Sequence, residues 1–267
     1  PAPTPSISGG TEFCSGSSIN LIASGGSSYV WSNGSTGSYI TVSQTGTYSV
    51  TATDSRGCTG EVSKTVVAHP LPNIVITGDT NICTGESAFL MVNAASGSTY
   101  VWSNGQTTPF INVTPTTSTN YTVVVTNSNG CTKSATIRVN VRPYPVITVT
   151  GNFSFCEGGQ TQITAQGAVA YQWNTGATTP SLELNSGGTY SVSGTSAYGC
   201  VSTAQVTVNQ HPLPIPMITG NSSICDGETG VLTASGGATY FWSNGVSTAT
   251  INPTTAGTYT VTVIDQH

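Results

Sequence analysis

The chain has 267 residues, only 6% of them charged, and a formal net charge of −5. Its five basic residues form no stripe, so nucleic acid is not expected as a partner. No apolar run approaches the roughly 18–20 residues that a membrane helix requires, so direct membrane insertion is not expected either. Valine, isoleucine, threonine, tyrosine and tryptophan recur in short runs, which is the composition of β-strands.

One sequence pattern occurs four times along the chain. The tryptophans, at steps of 71, 71 and 69 residues, are Trp31, Trp102, Trp173 and Trp242. The tyrosines of the GTYSV-like segments are Tyr48, Tyr121, Tyr190 and Tyr259. This periodicity predicts four domains, which we call repeats 1 to 4, at residues 1–72, 73–145, 146–214 and 215–267. We expect repeat 4 to be incomplete, with its second cysteine two residues beyond His267.

The sequence of repeat 1 predicts short strands and no helix. In chain order the strands are PSISG (A), SINLIAS (B), YVWS (C), YITVS, GTYSVTATD (F) and TGEVSKTVVA (G). The pairs Asn33-Gly34 and Asn104-Gly105 predict type I′ turns, which need positive φ at both central residues. A type I turn is predicted to begin four residues before each second cysteine, at Asp54, Asn127, Ser196 and Asp265.

Six or seven strands in each repeat predict an all-β fold, a tandem array of four immunoglobulin-like β-sandwiches with the last one truncated. Between repeats the chain reads HPLPN, RPYPV and HPLPI. Alternating prolines restrict the backbone to extended conformations, so these joints are predicted to be stiff and the array to form a rod. His69 and His211 precede prolines in the joints and are interpreted as linker residues rather than as ligands or bases.

The repeated aromatic residues are interpreted as core residues. Tyr29 and Trp31 stand two apart on strand C and therefore face the same side. A tryptophan on strand C that packs between two sheets is a hallmark of immunoglobulin domains. The tyrosine at the start of strand F resembles the tyrosine corner of the same fold. The alternative is a surface platform on which sugar rings stack.

Seven cysteines in a repeating pattern predict an oxidising compartment and structural disulfides. The first cysteines of the repeats, placed at the start of strand B, are Cys14, Cys83, Cys156 and Cys225. The second cysteines, placed at the F–G tip, are Cys58, Cys131 and Cys200. The absence of CxxC pairs argues against zinc.

Two disulfide patterns remain open. Pairing within repeats gives Cys14–Cys58, Cys83–Cys131 and Cys156–Cys200. Strands B and F run in the same direction in an immunoglobulin sandwich, which separates these cysteines by about 30 Å. A disulfide requires Cα atoms within about 7 Å. Pairing between neighbouring repeats, Cys14–Cys131 and Cys83–Cys200, satisfies the strand directions.

The titratable residues predict no catalytic centre, because an enzyme needs acid, base or nucleophile groups that converge in a pocket. The ten acidic residues are scattered through turns and loops. Asp226 and Glu228, with Glu86 and Glu157 at neighbouring equivalent positions, lie just after first cysteines. A weak calcium site there is the alternative to an ordinary solvated turn, but the ligand density is far below that of an EF-hand. No cofactor and no metal are expected.

The repeats combine a pattern close to IxGxxxIC-xG-xxxxL, a WSNG corner (WNTG in repeat 3), GTYxV (TNYTV in repeat 2) and, in repeats 1 to 3, a GC turn. This combination resembles the immunoglobulin-like and PKD-like repeats of Bacteroidota surface proteins. These belong to very large adhesins exported by type 9 secretion, including those of gliding motility. PKD repeats usually carry W-x-F-G-D-G, whereas this chain has WSNG and lacks the acid of that motif.

The resemblance implies a non-catalytic, disulfide-stabilised stalk of a large bacterial surface adhesin or filament. The implied location is extracellular, at the cell surface. The alternative function is an array of carbohydrate-binding modules. The expected partners are neighbouring repeats of the same chain, surface glycans, or other copies of the chain.

Overall fold

The computed structural model describes residues 1–221 and 223–267. The described residues form strands, turns and bends, with no helix among them. The chain divides into two compact units, unit 1 at Pro1–Arg142 and unit 2 at Pro143–His267. Unit 1 contains repeat 1 and repeat 2 up to Arg142, and unit 2 contains the last three residues of repeat 2 together with repeats 3 and 4.

Unit 1 contains fourteen strands, seven from each repeat. Those of repeat 1 are β1 (Ser6–Ser8), β2 (Glu12–Cys14), β3 (Ile19–Ser24), β4 (Ser28–Trp31), β5 (Tyr39–Val42), β6 (Gly46–Thr53) and β7 (Thr59–His69). Those of repeat 2 are β8 (Val75–Gly78), β9 (Asn81–Cys83), β10 (Ala88–Asn93), β11 (Thr99–Trp102), β12 (Phe110–Val113), β13 (Thr119–Thr126) and β14 (Thr132–Arg142).

Unit 2 repeats this order and then departs from it. The strands of repeat 3 are β15 (Thr148–Gly151), β16 (Ser154–Cys156), β17 (Thr161–Gln166), β18 (Ala170–Trp173), β19 (Ser181–Leu184), β20 (Gly188–Thr195) and β21 (Val201–His211). Those of repeat 4 are β22 (Met217–Gly220), β23 (Leu232–Ser235), β24 (Thr239–Trp242), β25 (Thr250–Ile251) and β26 (Val261–Ile264). Repeat 4 has no counterpart of β2 among its described residues, and the position of a β7 counterpart lies beyond His267.

Each of repeats 1 to 3 consists of two sheets. In repeat 1 the three-stranded sheet has the order β1-β3-β5 and the four-stranded sheet has the order β2-β7-β6-β4. All pairs are antiparallel except β2 with β7, where Glu12, Phe13 and Cys14 pair in parallel with Val67, Ala68 and His69. This is the topology of an immunoglobulin-like sandwich. The fold is therefore all-β, with several immunoglobulin-like domains in tandem.

The core of each repeat lies between its two sheets. In repeat 1, Leu21 and Ala23 of β3 face Trp31 and Val50 of the opposite sheet, and all four are buried. The burial alternates along β3 as the pleat of a strand requires, with Asn20 and Ile22 exposed. Repeats 2 and 3 have equivalent clusters.

The first strand of the immunoglobulin pattern is split in two, which corrects the predicted placement of Cys14. We expected Cys14 at the start of strand B, but it lies on the separate strand β2, which joins the other sheet. Gly9 lies at the crossing with a φ of +118°. A Cβ atom there would collide with the backbone oxygen of Asn20, so only glycine fits.

The structure also corrects the placement of two histidines. His69 and His211 were predicted to be linker residues, but they are the last residues of β7 and β21. His69 pairs with Cys14, and His211 pairs with Cys156, at the last position of each parallel strand pair. None of the described segments is a helix long and apolar enough to cross a membrane.

Candidate functional site

The WSNG corner is held by one hydrogen bond of the indole ring. The Nε1–H of Trp31 donates to the carbonyl oxygen of Gly37 at 2.8 Å. The other tryptophans donate to the carbonyl six residues ahead, at distances of 2.9–3.0 Å: Trp102 to Thr108, Trp173 to Thr179 and Trp242 to Thr248. All four rings are buried, with at most 4% of their surface exposed. The corner therefore buries the ring and its only polar atom together.

The turn in this corner differs from the prediction. Only glycines have positive φ among the described residues, so Asn33 and Asn104 are not in the left-handed region and the turns are not type I′. Gly34, at φ +84°, donates its N–H to the carbonyl oxygen of Trp31 at 2.9 Å. The side chain of Asn33 instead accepts the N–H of Ser35 at 3.1 Å, which stabilises the turn locally.

Three of the four repeated tyrosines form a second structural corner. The hydroxyl of Tyr48 donates to the carbonyl oxygen of Gln44 at 3.1 Å. Tyr190 and Tyr259 make the same contact four residues back, with Ser186 and Thr255. Tyr121 is 8% exposed, and its burial raises the pKa of the phenol above the ordinary value of 10.0. These geometries match the tyrosine corner of immunoglobulin domains.

Each second cysteine is presented by a turn that one polar side chain holds. In repeat 2, Oδ1 of Asn127 accepts the N–H of Asn129 at 3.1 Å and the N–H of Cys131 at 3.0 Å. Asp54 holds the turn before Cys58 in the same way, and Ser196 holds the turn before Cys200. In the structure the predicted turn thus fixes the backbone of the cysteine itself.

Each first cysteine of repeats 1 to 3 is presented by a three-residue strand. Cys14 ends β2, where its neighbour Phe13 is buried in the core of repeat 1. The parallel pair with His69 places Cys14 at the end of the sheet where the chain leaves repeat 1. Cys58 lies at the opposite end of the sheet, because β7 runs the length of the sheet from Thr59, next to Cys58, to His69.

A disulfide crosses the joint between repeats 1 and 2, within unit 1. Cys14 is bonded to Cys131, with an S–S distance of 1.99 Å and a Cα–Cα distance of 5.6 Å. The bond closes a loop across a sequence separation of 117 residues. Nearby, the side-chain amide of Asn127 donates to the carbonyl oxygen of Pro70 at 2.9 Å. A side chain of repeat 2 therefore binds the backbone of the proline joint beside the covalent link.

The remaining cysteines fall into two groups. Cys83 and Cys200 are both disulfide-bonded and both buried. Cys58, Cys156 and Cys225 are free thiols, of which Cys58 and Cys225 are exposed. Pairing within repeat 1, Cys14 with Cys58, is thus not formed, and the bond between repeats takes its place.

One residue at the joint was not singled out from the sequence. Oε2 of Glu12 lies 3.3 Å from Nε2 of His69, an ion-pair distance when the imidazole is protonated. The two atoms are not aligned as a hydrogen bond. Glu12 and His69 are two residues apart in the parallel register, since His69 pairs with Cys14. Only the parallel pairing of β2, which the sequence did not reveal, brings this acid to the joint.

Two of the acidic residues considered for calcium, Glu86 and Glu228, hold turns through their carboxylates. Glu86 accepts the N–H of Cys83 at 3.0 Å, and its own N–H donates back to the carbonyl oxygen of Cys83. Glu228 accepts the N–H of Cys225 at 3.4 Å. Within residues 1–221 and 223–267, no three histidine, cysteine or acidic side chains form a group that could hold a metal.

Comparisons with known proteins returned structural matches only. No protein-family model matches the chain, and no curated protein does. Immunoglobulin domains 1–5 of Sidekick-1 match at 14% identity over 88% of this chain and 69% of theirs, with a TM-score of 0.33.

Two bacterial adhesin structures are similar to the same degree. A Ca²⁺-stabilised adhesin with which an Antarctic bacterium binds ice matches at 15% identity over 88% of this chain and 84% of its own, with a TM-score of 0.33. A 1.5-MDa bacterial ice-binding adhesin matches at 12% identity over 80% and 99%, with a TM-score of 0.31. These scores are low, so the fold assignment depends on the strand topology described above.

Proposed function

We propose that this chain is a non-catalytic spacer of a large extracellular adhesin or filament at a bacterial cell surface. The observation that carries the proposal is the Cys14–Cys131 bond, because it crosses the joint between two sandwich domains. A disulfide inside one domain would stabilise that domain alone. A disulfide across a joint also limits how far the chain can be stretched when its ends are pulled, which suits a load-bearing stalk.

The finer assignments follow from the sequence pattern. The resemblance of all four repeats to Bacteroidota adhesin repeats supports export by type 9 secretion and a role of the gliding-adhesin type. The repeat boundaries at residues 72, 145 and 214 are proposed as domain boundaries. The repeated tryptophans and tyrosines are proposed as structural residues that host no chemistry. The bond from Cys14 to Cys131 joins a first cysteine to the second cysteine of the next repeat, and the same rule assigns Cys83 to Cys200.

Single-molecule stretching tests the load-bearing role. The chain is pulled from its two ends in a Cys83→Ser/Cys200→Ser background, so that only the Cys14–Cys131 bond remains. In oxidised protein the loop of 117 residues stays hidden from the applied force. A reductant should release it and lengthen the extended chain by about 400 Å, at about 3.3–3.6 Å per residue.

The matched control adds Cys14→Ser and Cys131→Ser to the same background. Its extension should be the same with and without reductant. The proposal fails if the oxidised parent extends as far as the reduced one, since the bond would then bear no load. Peptide mapping of the natural chain by mass spectrometry tests the pairing between neighbouring repeats. A Cys83–Cys200 cross-linked peptide supports this pairing, and a Cys83 link to any other cysteine contradicts it.

A second candidate function, glycan binding, is favoured by an aromatic pair on repeat 2. Phe89 and Phe110 stack on the outer face of the three-stranded sheet, with ring centroids 5.9 Å apart and planes at 28°. Both side chains are about half exposed. In repeat 2, Phe110 pairs with Met91 on the neighbouring strand. The equivalent positions are occupied by two hydrogen-bonded hydroxyl residues in repeat 3, Thr164 and Ser181, and in repeat 4, Thr233 and Thr250.

Glycan-array binding distinguishes the two functions. If the aromatic pair binds sugar, the natural chain gives a signal that Phe89→Ser/Phe110→Ser abolishes. A Thr164→Ala/Ser181→Ala control, which changes the equivalent face of repeat 3, should keep that signal. Absence of binding to any glycan leaves the spacer role as the function of repeat 2.

A further inference from the structure

The joint cysteine Cys14 lies on a short strand at the edge of its sheet. The strand β2 has three residues and pairs only with β7. The N–H of Ser15 donates to the carbonyl oxygen of His69 at 2.8 Å. The N–H of Val67 donates to the carbonyl oxygen of Thr11, also at 2.8 Å. A strand with so short a backbone ladder opens more readily than the long strands of the core, so a side-chain contact between β2 and β7 affects how firmly Cys14 is held.

One pair of side chains connects the short strand to the long strand at the same position in repeats 1 and 2. In repeat 1, Oε2 of Glu12 lies 3.3 Å from Nε2 of His69. In repeat 2, Nε and Nη2 of Arg142 both donate to Oδ1 of Asn81, each at 3.2 Å. Each pair joins the first residue of the short strand to the last residue of the long one, and we call this pair the strand clamp.

Repeat 3 has the histidine of the clamp without the acid. Ser154 is the first residue of β16, and His211 is the last residue of β21. The ring of His211 stacks on that of His267, with ring centroids 3.9 Å apart. The three repeats therefore differ in how the clamp depends on pH. Repeat 1 has an ionisable pair, repeat 2 has a guanidinium that stays protonated, and repeat 3 has no acid at this position.

The imidazole of His69 faces one charged group. Its Nε2 atom is buried and has no hydrogen-bond partner, while 20% of the side chain is exposed. Glu12 is the one carboxylate of the described residues that pairs with the ring. The other charged residues of β7, Glu61 and Lys64, stand at least five positions before it. From repeat 2 the uncharged turn at residues 127–131 approaches, with its cysteine sulfur 3.9 Å from the carbonyl oxygen of His69.

We infer that Glu12 and His69 form a proton-dependent clamp that protects the joint disulfide from reduction. Protonation gives the buried Nε2 atom a positive charge beside the carboxylate, and the ion pair then holds β2 against β7. Histidine side chains gain this proton between about pH 8 and about pH 5. The added hold is therefore present at the lower pH and is lost as the pH rises.

Release of β2 is what exposes the disulfide to a reductant. Cys131 is completely buried, so a reductant reaches the bond only when its surroundings move. Cys14 is carried by β2 and moves with it. A tighter clamp should therefore slow reduction. The inference does not depend on the proposed stalk function, because it concerns only how the observed bond responds to pH.

Amide hydrogen exchange on the full 267-residue chain tests the clamp itself. The protection of the Ser15 N–H, relative to an unfolded peptide, is compared at about pH 5.5 and about pH 8. It should be about two- to fivefold greater at the lower pH, the range of a partly exposed ion pair. The N–H of Thr84, which donates to the carbonyl oxygen of Arg142 at 2.9 Å, is the equivalent reporter in repeat 2 and should not change. Glu12→Gln should abolish the change at Ser15.

Reduction kinetics test the protection of the disulfide. In a Cys83→Ser/Cys200→Ser background, a phosphine reductant is added and the free thiols of Cys14 and Cys131 are counted by alkylation and mass spectrometry. At about pH 5.5 the bond should be reduced about two- to fivefold more slowly than in the same chain with Glu12→Gln. At about pH 8 the two rates should be equal. Comparing the two chains at one pH removes the effect of pH on the reductant.

A gain of function in repeat 3 completes the test. Ser154→Glu places the missing acid opposite His211, and Ser154→Gln is the uncharged control of the same size. The N–H of Glu157 donates to the carbonyl oxygen of His211 at 2.8 Å and reports on this strand. Its protection at the lower pH should rise in Ser154→Glu relative to Ser154→Gln.

Four results would each overturn the inference. The first is a Ser15 protection that does not depend on pH. The second is a pH dependence that persists in Glu12→Gln. The third is a ratio of reduction rates that is the same at both pH values. The fourth is a Ser154→Glu chain that gains no more protection than Ser154→Gln.

Discussion

Repeats 2 and 4 form the same tryptophan corner, but the 267-residue sequence ends before a counterpart of the strand that covers the core of repeat 2. The Nε1–H of Trp102 donates to Thr108 at 3.0 Å and that of Trp242 donates to Thr248 at 2.9 Å. Both rings are almost fully buried. The strand beside them differs: Val123 and Val125 are fully buried, but the equivalent Val261 and Val263 are only half-buried.

The difference separates local from non-local structure in this fold. The tryptophan corner joins residues six apart, so it forms wherever strand C and the segment after it are present. Closing the core needs the eleven-residue last strand, which pairs with the preceding strand in repeats 1 to 3. The repeated motif is therefore a sign of the domain type but does not by itself complete a domain.

The largest effect is expected from removing a tryptophan of a closed repeat. Trp102→Ala should destabilise repeat 2 by about 3–5 kcal/mol, because it leaves a cavity in a packed core. Urea unfolding followed by residue-resolved hydrogen exchange measures this, since a chain of several domains does not unfold in one step. Val101→Ala, at the exposed neighbouring position, is the control and should change little. Equal losses in the two variants would contradict the core role of Trp102.

A second pair of variants compares the stability that one core leucine contributes in repeat 2 with that of its equivalent in repeat 4. Leu90→Ala should cost repeat 2 about 2–5 kcal/mol, because Leu90 is completely buried. Leu232→Ala should cost repeat 4 less than half as much, because Leu232 already borders an open cavity. Hydrogen exchange of the strands β10 and β23 reports the two losses separately. Similar losses would show that repeat 4 is closed in solution.

A smaller effect is expected from the joint disulfide. Cys14→Ser/Cys131→Ser should lower the free energy of unfolding of repeats 1 and 2 by about 2–4 kcal/mol, because the loop is no longer closed in the unfolded chain. Denaturant unfolding of oxidised protein measures the loss.

The matched control for the disulfide is Cys58→Ser/Cys225→Ser. It removes two exposed free thiols and should leave stability unchanged. Stability that is insensitive to the Cys14→Ser/Cys131→Ser change would mean that strain in the joint offsets the entropic gain.

The smallest effect concerns Tyr121. Burial raises the pKa of its phenol above 10.0, so the folded state favours the neutral form. Stability from this group is complete below the unfolded pKa of about 10 and falls as the pH rises above it, because the unfolded chain loses its proton first. Absorbance titration of tyrosinate should show a late component that Tyr121→Phe removes. An unchanged titration curve in that variant would contradict the shift.

Strand direction was enough to favour one of the two disulfide patterns. Strands B and F run in the same direction, so a cysteine before B and a cysteine after F lie at opposite ends of the sandwich. Chain direction alone therefore points Cys14 toward the next repeat, where the structure bonds it to Cys131. This argument needed only the strand directions and the rise per residue along a strand.

The parallel strand β2 could not be predicted in the same way. Glu12–Cys14 has three residues, too few for a periodicity to be visible, and its partner lies more than fifty residues away in β7. The ion pair of Glu12 with His69 was missed for the same reason. The turn after Trp31 was predicted wrongly because Asn-Gly fits two turn types. The choice between them depends on where the chain goes next, and here it returns to Gly37 beneath the indole rather than straight into a hairpin.

The loop closed by Cys14 and Cys131 has a consequence for resistance to proteolysis. A protease that cuts any one peptide bond between these two cysteines leaves two fragments that the sulfur bridge still ties together. That interval includes the proline joint and almost all of both sandwiches. A single cut there changes the topology of the molecule without dividing it. Separating the two ends of the chain then requires a cut before Cys14 or after Cys131, or a reducing agent.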